Sequence, residues 1–208
     1  MGGRLFGHDA AGEVDGDSGM TWPAGRSPRR IAVLGCGGSG KTVLANRLGA
    51  ALGIPVTHLD ALYYDDTWTP LPQEEFARRQ RSLVARESWI ADGNYASTLP
   101  IRLAAADTVI FLDLPALTCL RGIATRRWRH RGGQHAETGV YDRITWDFIT
   151  YICRYRKTMA PRVRALLAEH VTAPTNVIVL RSRKAVDQWH AALPHKPNPP
   201  HTEQAPFP

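Results

Sequence analysis

The chain has 208 residues, of which 43% are hydrophobic, and it carries a formal net charge of +7. This length suits a single α/β domain with terminal extensions, and no run of about 18 apolar residues predicts a membrane-spanning helix. The N-terminal residues lack the basic start and apolar centre of a secretory signal, and the three cysteines form no C-x-x-C pair of the kind that holds zinc. We therefore expect a cytoplasmic protein without a disulfide framework.

Composition divides the chain into three parts. Residues 1–28 are rich in Gly and Asp without hydrophobic periodicity, and residues 194–208 include six prolines, so both ends are predicted to be disordered. Between them, residues 29–193 form one predicted domain. Its apolar runs predict strands near 30–34, 55–59, 88–92, 107–112 and 176–181. Helical patterns lie near 41–53, 72–87, 97–105, 115–130, 141–169 and 183–192.

Strands that alternate with helices predict a three-layer α/β fold, with about five parallel strands and helices on both faces of the sheet. In such sheets, ligands bind at the carboxyl ends of the strands. Polar residues that directly follow a strand are therefore the candidates for a functional site.

Residues 35–42, here called the phosphate loop, follow the first predicted strand and read GCGGSGKT. They fit the P-loop NTPase pattern G-x-x-x-x-G-K-[ST], and the strand before them and the helix after them are the setting that this pattern requires. Glycines let successive backbone N–H groups surround phosphate oxygens at the positive end of the following helix. Lys41 is predicted to reach the β- and γ-phosphates, and the Thr42 hydroxyl to ligate Mg²⁺. The residues predicted to bind the nucleotide are Gly35, Gly37, Gly38, Ser39, Gly40, Lys41 and Thr42.

The nucleotide is predicted to be ATP rather than GTP, because the chain contains no N-K-x-D motif. Arg181 follows the last predicted strand, where a loop lies near the nucleotide base. Its side chain is therefore a candidate contact to adenine.

Asp60 follows the second predicted strand and is a candidate for the acceptor side of the site. A carboxylate there can orient a substrate hydroxyl, or accept its proton, for in-line attack on the γ-phosphate. Tyr63, Tyr64 and Trp68 can wall an acceptor pocket. The alternative is that Asp60 belongs to a turn or a helix cap and that the aromatic rings pack on the core.

Two aspartates compete for the Mg²⁺ side of the site. Asp92 follows the third predicted strand, and Asp113 follows the fourth, just before Leu114 and Pro115. Either carboxylate can bind Mg²⁺ through water if its strand neighbours the one that leads into the phosphate loop. Sequence order does not reveal which strand does, although we prefer Asp92 because Asp113 can simply end a strand.

Basic residues are concentrated between positions 114 and 164, where eleven Lys and Arg face three acidic residues. Arg126 and Arg127 lie near the end of a predicted helix that runs into Gly132 and Gly133. They predict a basic helical lid over about 126–145, whose arginines neutralise charge on the transferred phosphoryl group. The alternatives are a solvated helix face or contact with a nucleic acid backbone.

Several blocks of the sequence resemble the adenylate-kinase-like P-loop proteins known as DNA topology modulation proteins of the FlaR type. The similar blocks are Ile31–Thr42, His58–Tyr64, Trp89–Tyr95, Asp107–Pro115, Tyr151–Arg156 and Leu180–Arg183. The combination of H-L-D-x-L-Y with D-G-N-Y is more particular than the phosphate loop alone. The resemblance covers about residues 30–190 and implies a nucleotide-kinase-like fold with a five-stranded parallel sheet and a lid.

The resemblance also bears on single residues. It favours Asp92 over Asp113 as the Mg²⁺-side carboxylate, because nucleoside monophosphate kinases carry Asp-Gly after the third strand. Where adenylate kinases have Phe-Pro-Arg, this chain has Asn94 and Tyr95, so it lacks an acceptor arginine there, and Arg102 is near enough in sequence to substitute. The segment that starts at Asp60 is similar to one in gluconate and uridine kinases, which phosphorylate hydroxyls.

The sequence therefore predicts an ATP- and Mg²⁺-dependent phosphotransferase acting on a small molecule such as a nucleoside, a nucleotide or another hydroxyl compound. The residues predicted to be catalytic are Lys41, Asp60, Arg126 and Arg127. The alternative is a nucleic-acid-associated regulator that uses ATP as a switch, although no DNA-reading motif is present. No membrane partner is expected, and the sequence makes no prediction of oligomeric state.

Overall fold

A computed structural model describes residues 13–15, 28–65, 69–129, 145–172 and 174–191. The strands are β1 (Glu13–Asp15), β2 (Arg30–Gly35), β3 (Val56–His58), β4 (Trp89–Asp92), β5 (Thr108–Leu112) and β6 (Asn176–Leu180). The helices are α1 (Lys41–Leu52), α2 (Leu59–Tyr63), α3 (Gln73–Val84), α4 (Leu99–Ala105), α5 (Ala116–Arg129), α6 (Trp146–His170) and α7 (Arg183–Ala191).

The strands form one parallel sheet in the order β1-β6-β5-β2-β4-β3. Strand β2 lies at its centre, between β4 and β5. All residues of β4 and β5 are buried, and so are all residues of β2 except Arg30. Continuous burial is what a parallel sheet covered on both faces requires.

Helices cover the sheet in two layers. Helix α1 packs on β2, β3 and β4, and it meets α7 where Arg47 Nη1 lies 2.7 Å from His190 Nδ1. Helices α3, α4, α5 and α6 form a second contiguous layer, in which α4 contacts both α3 and α6. The predicted three-layer α/β fold with a parallel sheet is confirmed.

The structure adds two elements to those that the sequence predicts. Strand β1 pairs with β6 at the edge of the sheet, inside the N-terminal extension that was predicted to be disordered. Helix α2 begins at Leu59, where the predicted second strand was expected to end, and Leu59 is completely buried.

Three predicted regions lie wholly or partly outside the described residues. The tail 194–208 is one of them, together with positions 1–12 and 16–27 of the extension. Of the predicted lid, 126–129 and 145 are described, whereas 130–144 are not. Within the part of the chain that is described, no helix combines the length and the apolar character needed to cross a bilayer.

Candidate functional site

The phosphate loop connects β2 to α1 in a conformation that requires glycine. Gly38 has φ +75° and Gly40 has φ +93°, in the left-handed region that favours this residue. A Cβ at Gly38 would also overlap the carbonyl oxygen of Cys119, because α5 packs against the loop. Backbone geometry and close packing therefore both select glycine here.

Lys41 and Ser39 close the loop on itself. The Lys41 ammonium donates to the carbonyl oxygen of Cys36 at 3.0 Å, and the Ser39 N–H donates to the same oxygen at 3.2 Å. Ser39 is fully buried, and its hydroxyl has no hydrogen-bond partner among the described residues. The loop thus holds a cation at the amino end of α1, where the helix dipole is also positive.

Asp92 ends β4 and meets the phosphate loop. Its Oδ2 accepts hydrogen bonds from the Thr42 hydroxyl at 2.8 Å and from His58 Nδ1 at 3.0 Å. Burial opposes ionisation, but the bond from His58, the charge of Lys41 and the bond from Thr42 outweigh it and hold the pKa of Asp92 below its ordinary value. Asp92 Oδ1 is buried and has no hydrogen-bond partner in the described part of the chain. An ionised carboxylate with a free oxygen therefore stands beside the loop.

Asp113 follows β5 and is completely buried, yet its surroundings differ from those of Asp92. Arg164 donates to its Oδ2, and Arg156 Nε lies 3.3 Å from its Oδ1. Both arginines belong to α6. The carboxylate of Asp113 thus anchors α6 to the sheet.

Asp60 lies in the first turn of α2 and is exposed. The Tyr95 hydroxyl donates to its Oδ1 at 2.7 Å. The Tyr95 ring lies in an aromatic cluster with Tyr63 and Phe76, at centroid distances of 4.9 and 4.8 Å, and Tyr64 packs on Tyr63 at 5.0 Å. Burial and the negative charge of Asp60 raise the pKa of Tyr95 above its ordinary value. A carboxylate and an aromatic wall thus lie together, while Trp68 falls outside the described residues.

The side chain of Arg102 is buried and does not reach the surface of the site. It has no accessible surface, and its guanidinium donates to the carbonyl oxygens of Gly93 and Asn94. Its expected role as a substitute for an acceptor arginine is therefore not met. It supports the loop after β4 instead.

The remaining predicted arginines lie at the edges of the described structure. Arg126 is half-buried and Arg127 is exposed in the last turns of α5, next to the undescribed segment 130–144. Arg181 is exposed directly after β6. Two residues further on, Arg183 reaches the phosphate loop, since a Cβ at Gly40 would lie 3.0 Å from its Nη1.

Sequence reasoning did not assign a role to three residues that contact the site. His58 binds Asp92, Asn94 binds Gly35, and the Phe148 ring at the start of α6 lies against Gly37. His58 and Asn94 stand directly at or after the ends of β3 and β4, so position after a strand was a usable signal for both. Phe148 carried no such signal, because its contact depends on how α6 packs.

Solved structures share this architecture. A shikimate kinase from Acinetobacter baumannii in complex with shikimate has a TM-score of 0.50 at 18% identity, covering 79% of this chain and 90% of that chain. A shikimate kinase from Bacteroides thetaiotaomicron has a TM-score of 0.49 at 16% identity, with 80% and 97% covered. A gluconokinase from Sinorhizobium meliloti 1021 has a TM-score of 0.44 at 16% identity, with 81% and 91% covered.

The likeness to the Acinetobacter baumannii shikimate kinase shows the fold alone, which is the P-loop kinase-like α/β fold. No protein-family model matches the sequence, and no match to a curated protein is found. The activity has to be argued from the site itself.

Proposed function

We propose that the chain is an ATP-dependent phosphotransferase that moves the γ-phosphoryl group of ATP to a hydroxyl group of a small molecule. The observation that carries the proposal is the bond between Thr42 and Asp92, next to Lys41 at the carboxyl edge of the sheet. A phosphate loop, a lysine and a carboxylate paired with the loop threonine are the parts that P-loop phosphoryl transfer requires.

The donor set also fits Mg²⁺. Thr42 and Asp92 offer hard oxygen ligands, and the buried Oδ1 of Asp92 lacks a partner among the described residues. Bound Mg²⁺ neutralises phosphate charge and holds the triphosphate in place. We propose that Thr42 holds the ion directly and that Asp92 does so through water.

Each predicted site residue has a separate role in this proposal. The backbone N–H groups of the phosphate loop and Lys41 bind the β- and γ-phosphates. Asp60 orients the acceptor hydroxyl and accepts its proton, with Tyr95 occupying one of its two carboxylate oxygens. Arg126 and Arg127 neutralise charge on the phosphoryl group, and Arg181 contacts adenine.

Two finer assignments belong to this proposal. The blocks around Asp60 and Asp92 support membership of the FlaR-type family of adenylate-kinase-like proteins. The aromatic cluster beside Asp60 supports an acceptor with a ring or a carbon skeleton that packs on aromatic surfaces, such as a nucleoside or a sugar. We also expect the protein to act in the cytoplasm.

The test is an ADP-release panel with ATP·Mg²⁺ against nucleosides, nucleotides, sugars and sugar acids, run on the wild type and on Lys41→Ala. We expect turnover with one acceptor class and a loss of about 100-fold or more in Lys41→Ala, because its charge stabilises the transferred group. Lys157→Ala, which removes an exposed lysine from α6, is the matched control and should keep wild-type turnover. Equal ADP release from the wild type and Lys41→Ala contradicts the proposal.

The alternative of a nucleic-acid-associated regulator receives no support from the described residues. Arg156 and Arg164, two of the basic residues between 114 and 164, are paired with Asp113. A mobility-shift assay at two salt concentrations separates the two functions, because binding through several phosphates weakens steeply as salt rises. We expect no retained duplex DNA at physiological salt.

A further inference from the structure

The turn that follows β4 has an unusual backbone. Gly93 has φ +150°, and Tyr95 has φ +38°, the one positive φ of a non-glycine residue in the described part of the chain. A side chain in the left-handed region is unfavourable and persists where neighbouring contacts hold it. The Tyr95 carbonyl accepts bonds from the backbone N–H of Thr98 at 3.0 Å and from its hydroxyl at 3.3 Å. The hydrogen bonds from Thr98 therefore help to hold this turn in an unfavourable backbone conformation.

Asn94, in the middle of the turn, binds both polar groups of the first residue of the phosphate loop. Its Oδ1 accepts from the Gly35 N–H at 2.9 Å, and its Nδ2 donates to the Gly35 carbonyl at 2.6 Å. One residue earlier, the Gly93 N–H donates to the carbonyl of Val33 at 3.2 Å. The side chain of Asn94 thus extends the pairing of β2 with β4 past the end of the strands, to the point where the loop begins.

The buried side chain of Arg102 binds backbone carbonyl groups of this turn. Arg102 Nη2 lies 2.5 Å from the Asn94 carbonyl and 3.2 Å from the Gly93 carbonyl, and its Nη1 donates to Gln80 Oε1. Burial lowers the pKa of Arg102 to about 9, and no carboxylate pairs with it among the described residues. Burying a guanidinium without a counter-charge is unfavourable, so its bonds to this turn compensate for a substantial loss of solvation.

Tyr95, the residue after Asn94, binds Asp60 on the acceptor side of the site. Tyr95 donates to Asp60, whereas Asn94 holds Gly35, so two successive residues contact the acceptor carboxylate and the phosphate loop. Phosphoryl transfer depends on the relative position of these two groups within a fraction of an ångström. The turn joins them without an intervening flexible segment.

We propose that Asn94 is a positioning residue for the phosphate loop, held by Arg102, and that the turn at 93–95 sets the distance between that loop and Asp60. This inference rests on the proposed function, because it concerns the same site. Asn94 acts through Gly35 and does not itself touch the phosphates. Its removal should therefore weaken binding of the triphosphate group while leaving the fold in place.

The test is calorimetric titration of the full chain with tripolyphosphate and with ATP. For Asn94→Ala we expect about tenfold weaker binding of both, because two hydrogen bonds to the loop are lost. For Asn94→Asp we expect a larger loss, since the carboxylate cannot donate to the Gly35 carbonyl and repels the phosphates. For Tyr95→Phe we expect affinity within twofold of the wild type.

Leu103→Ala is the control for loss of stability alone. Leu103 is completely buried in α4, so this variant loses stability but removes neither hydrogen bond between Asn94 and Gly35. It should bind tripolyphosphate as the wild type does, which separates positioning from general destabilisation. The melting temperature of each variant is measured alongside.

The results distinguish this inference from the proposed function. A wild type that binds neither tripolyphosphate nor ATP removes the proposed function. A wild type that binds both, together with an Asn94→Ala variant of equal affinity, overturns the role of Asn94. An equal loss in Tyr95→Phe or Leu103→Ala also overturns it, because the effect would then not be specific to the bonds with Gly35.

Discussion

Asp92 and Asp113 follow the two strands that flank β2, and both carboxylates are buried at the same edge of the sheet. Their partners nevertheless differ. Asp92 accepts hydrogen bonds from Thr42 of the phosphate loop and from His58. Asp113 lies between Arg156 and Arg164 of α6.

The difference shows that burial and position after a strand do not by themselves separate the two candidate carboxylates. Both β4 and β5 pair with β2, so adjacency to the central strand does not separate the two candidates either. What separates them is the chemistry of their partners. A carboxylate paired with two guanidinium groups is engaged in holding a helix, whereas one paired with a hydroxyl and an imidazole keeps coordination capacity.

The largest expected effect is a difference between Asp92→Ala and Asp113→Ala in how much Mg²⁺ increases the affinity for ATP. Mg²⁺ should strengthen ATP binding to the wild type, and Asp92→Ala should lose most of this gain together with about 100-fold or more in turnover. Asp113→Ala should keep the gain, because its carboxylate points to α6 and not to Thr42. Titrations with ATP in the presence and absence of Mg²⁺ measure the contrast. If Asp113→Ala loses the gain and Asp92→Ala keeps it, the two roles are reversed.

A second and smaller effect concerns stability. Asp113→Ala should lower the free energy of unfolding by about 2 kcal/mol, because a charged hydrogen bond to Arg164 and an ion pair with Arg156 are lost. The loss stays moderate because the side chains of Arg156 and Arg164 are each 47% exposed and regain solvent. Urea unfolding measures it. A variant as stable as the wild type would show that the anchor to α6 contributes nothing.

The smallest effect is the pH dependence of stability. The pKa of Asp92 is lowered in the folded state, whereas an unfolded aspartate titrates near about 3.9. The ionised carboxylate of Asp92 therefore makes its full contribution to the free energy of unfolding above about pH 4. This contribution is lost as the pH falls through the lower pKa of the folded state. Without Mg²⁺, the wild type should lose stability below pH 4 more steeply than Asp92→Asn, by at most about 1.4 kcal/mol per pH unit. Parallel unfolding curves for the two proteins would contradict this.

Local features of the sequence predicted most of the fold. Apolar runs placed β2, β4, β5 and β6 to within one or two residues, because continuous burial selects apolar side chains over the length of a strand. The phosphate loop was also predicted from the sequence, since the positive φ angles of Gly38 and Gly40 favour glycine whatever the rest of the fold. Strand β1 was not, because its three residues lie in a segment rich in Gly and Asp without hydrophobic periodicity.

Candidate site residues could be named from the sequence where they belong to a contiguous motif or follow a strand, and not where their contacts reach a distant segment. Lys41 and Thr42 belong to one contiguous motif, and Asp60 and Asp92 follow strands, so the sequence alone named them as candidates. The roles of Arg102 and Asn94 depend on contacts between segments far apart in the chain; Asn94 meets Gly35 across 59 positions. Strand order and helix packing create such contacts, and a single sequence does not encode them in any local pattern. The sequence by itself therefore determined the fold class and the phosphate loop, whereas the tertiary structure alone decided which buried aspartate faces that loop and which residues hold it.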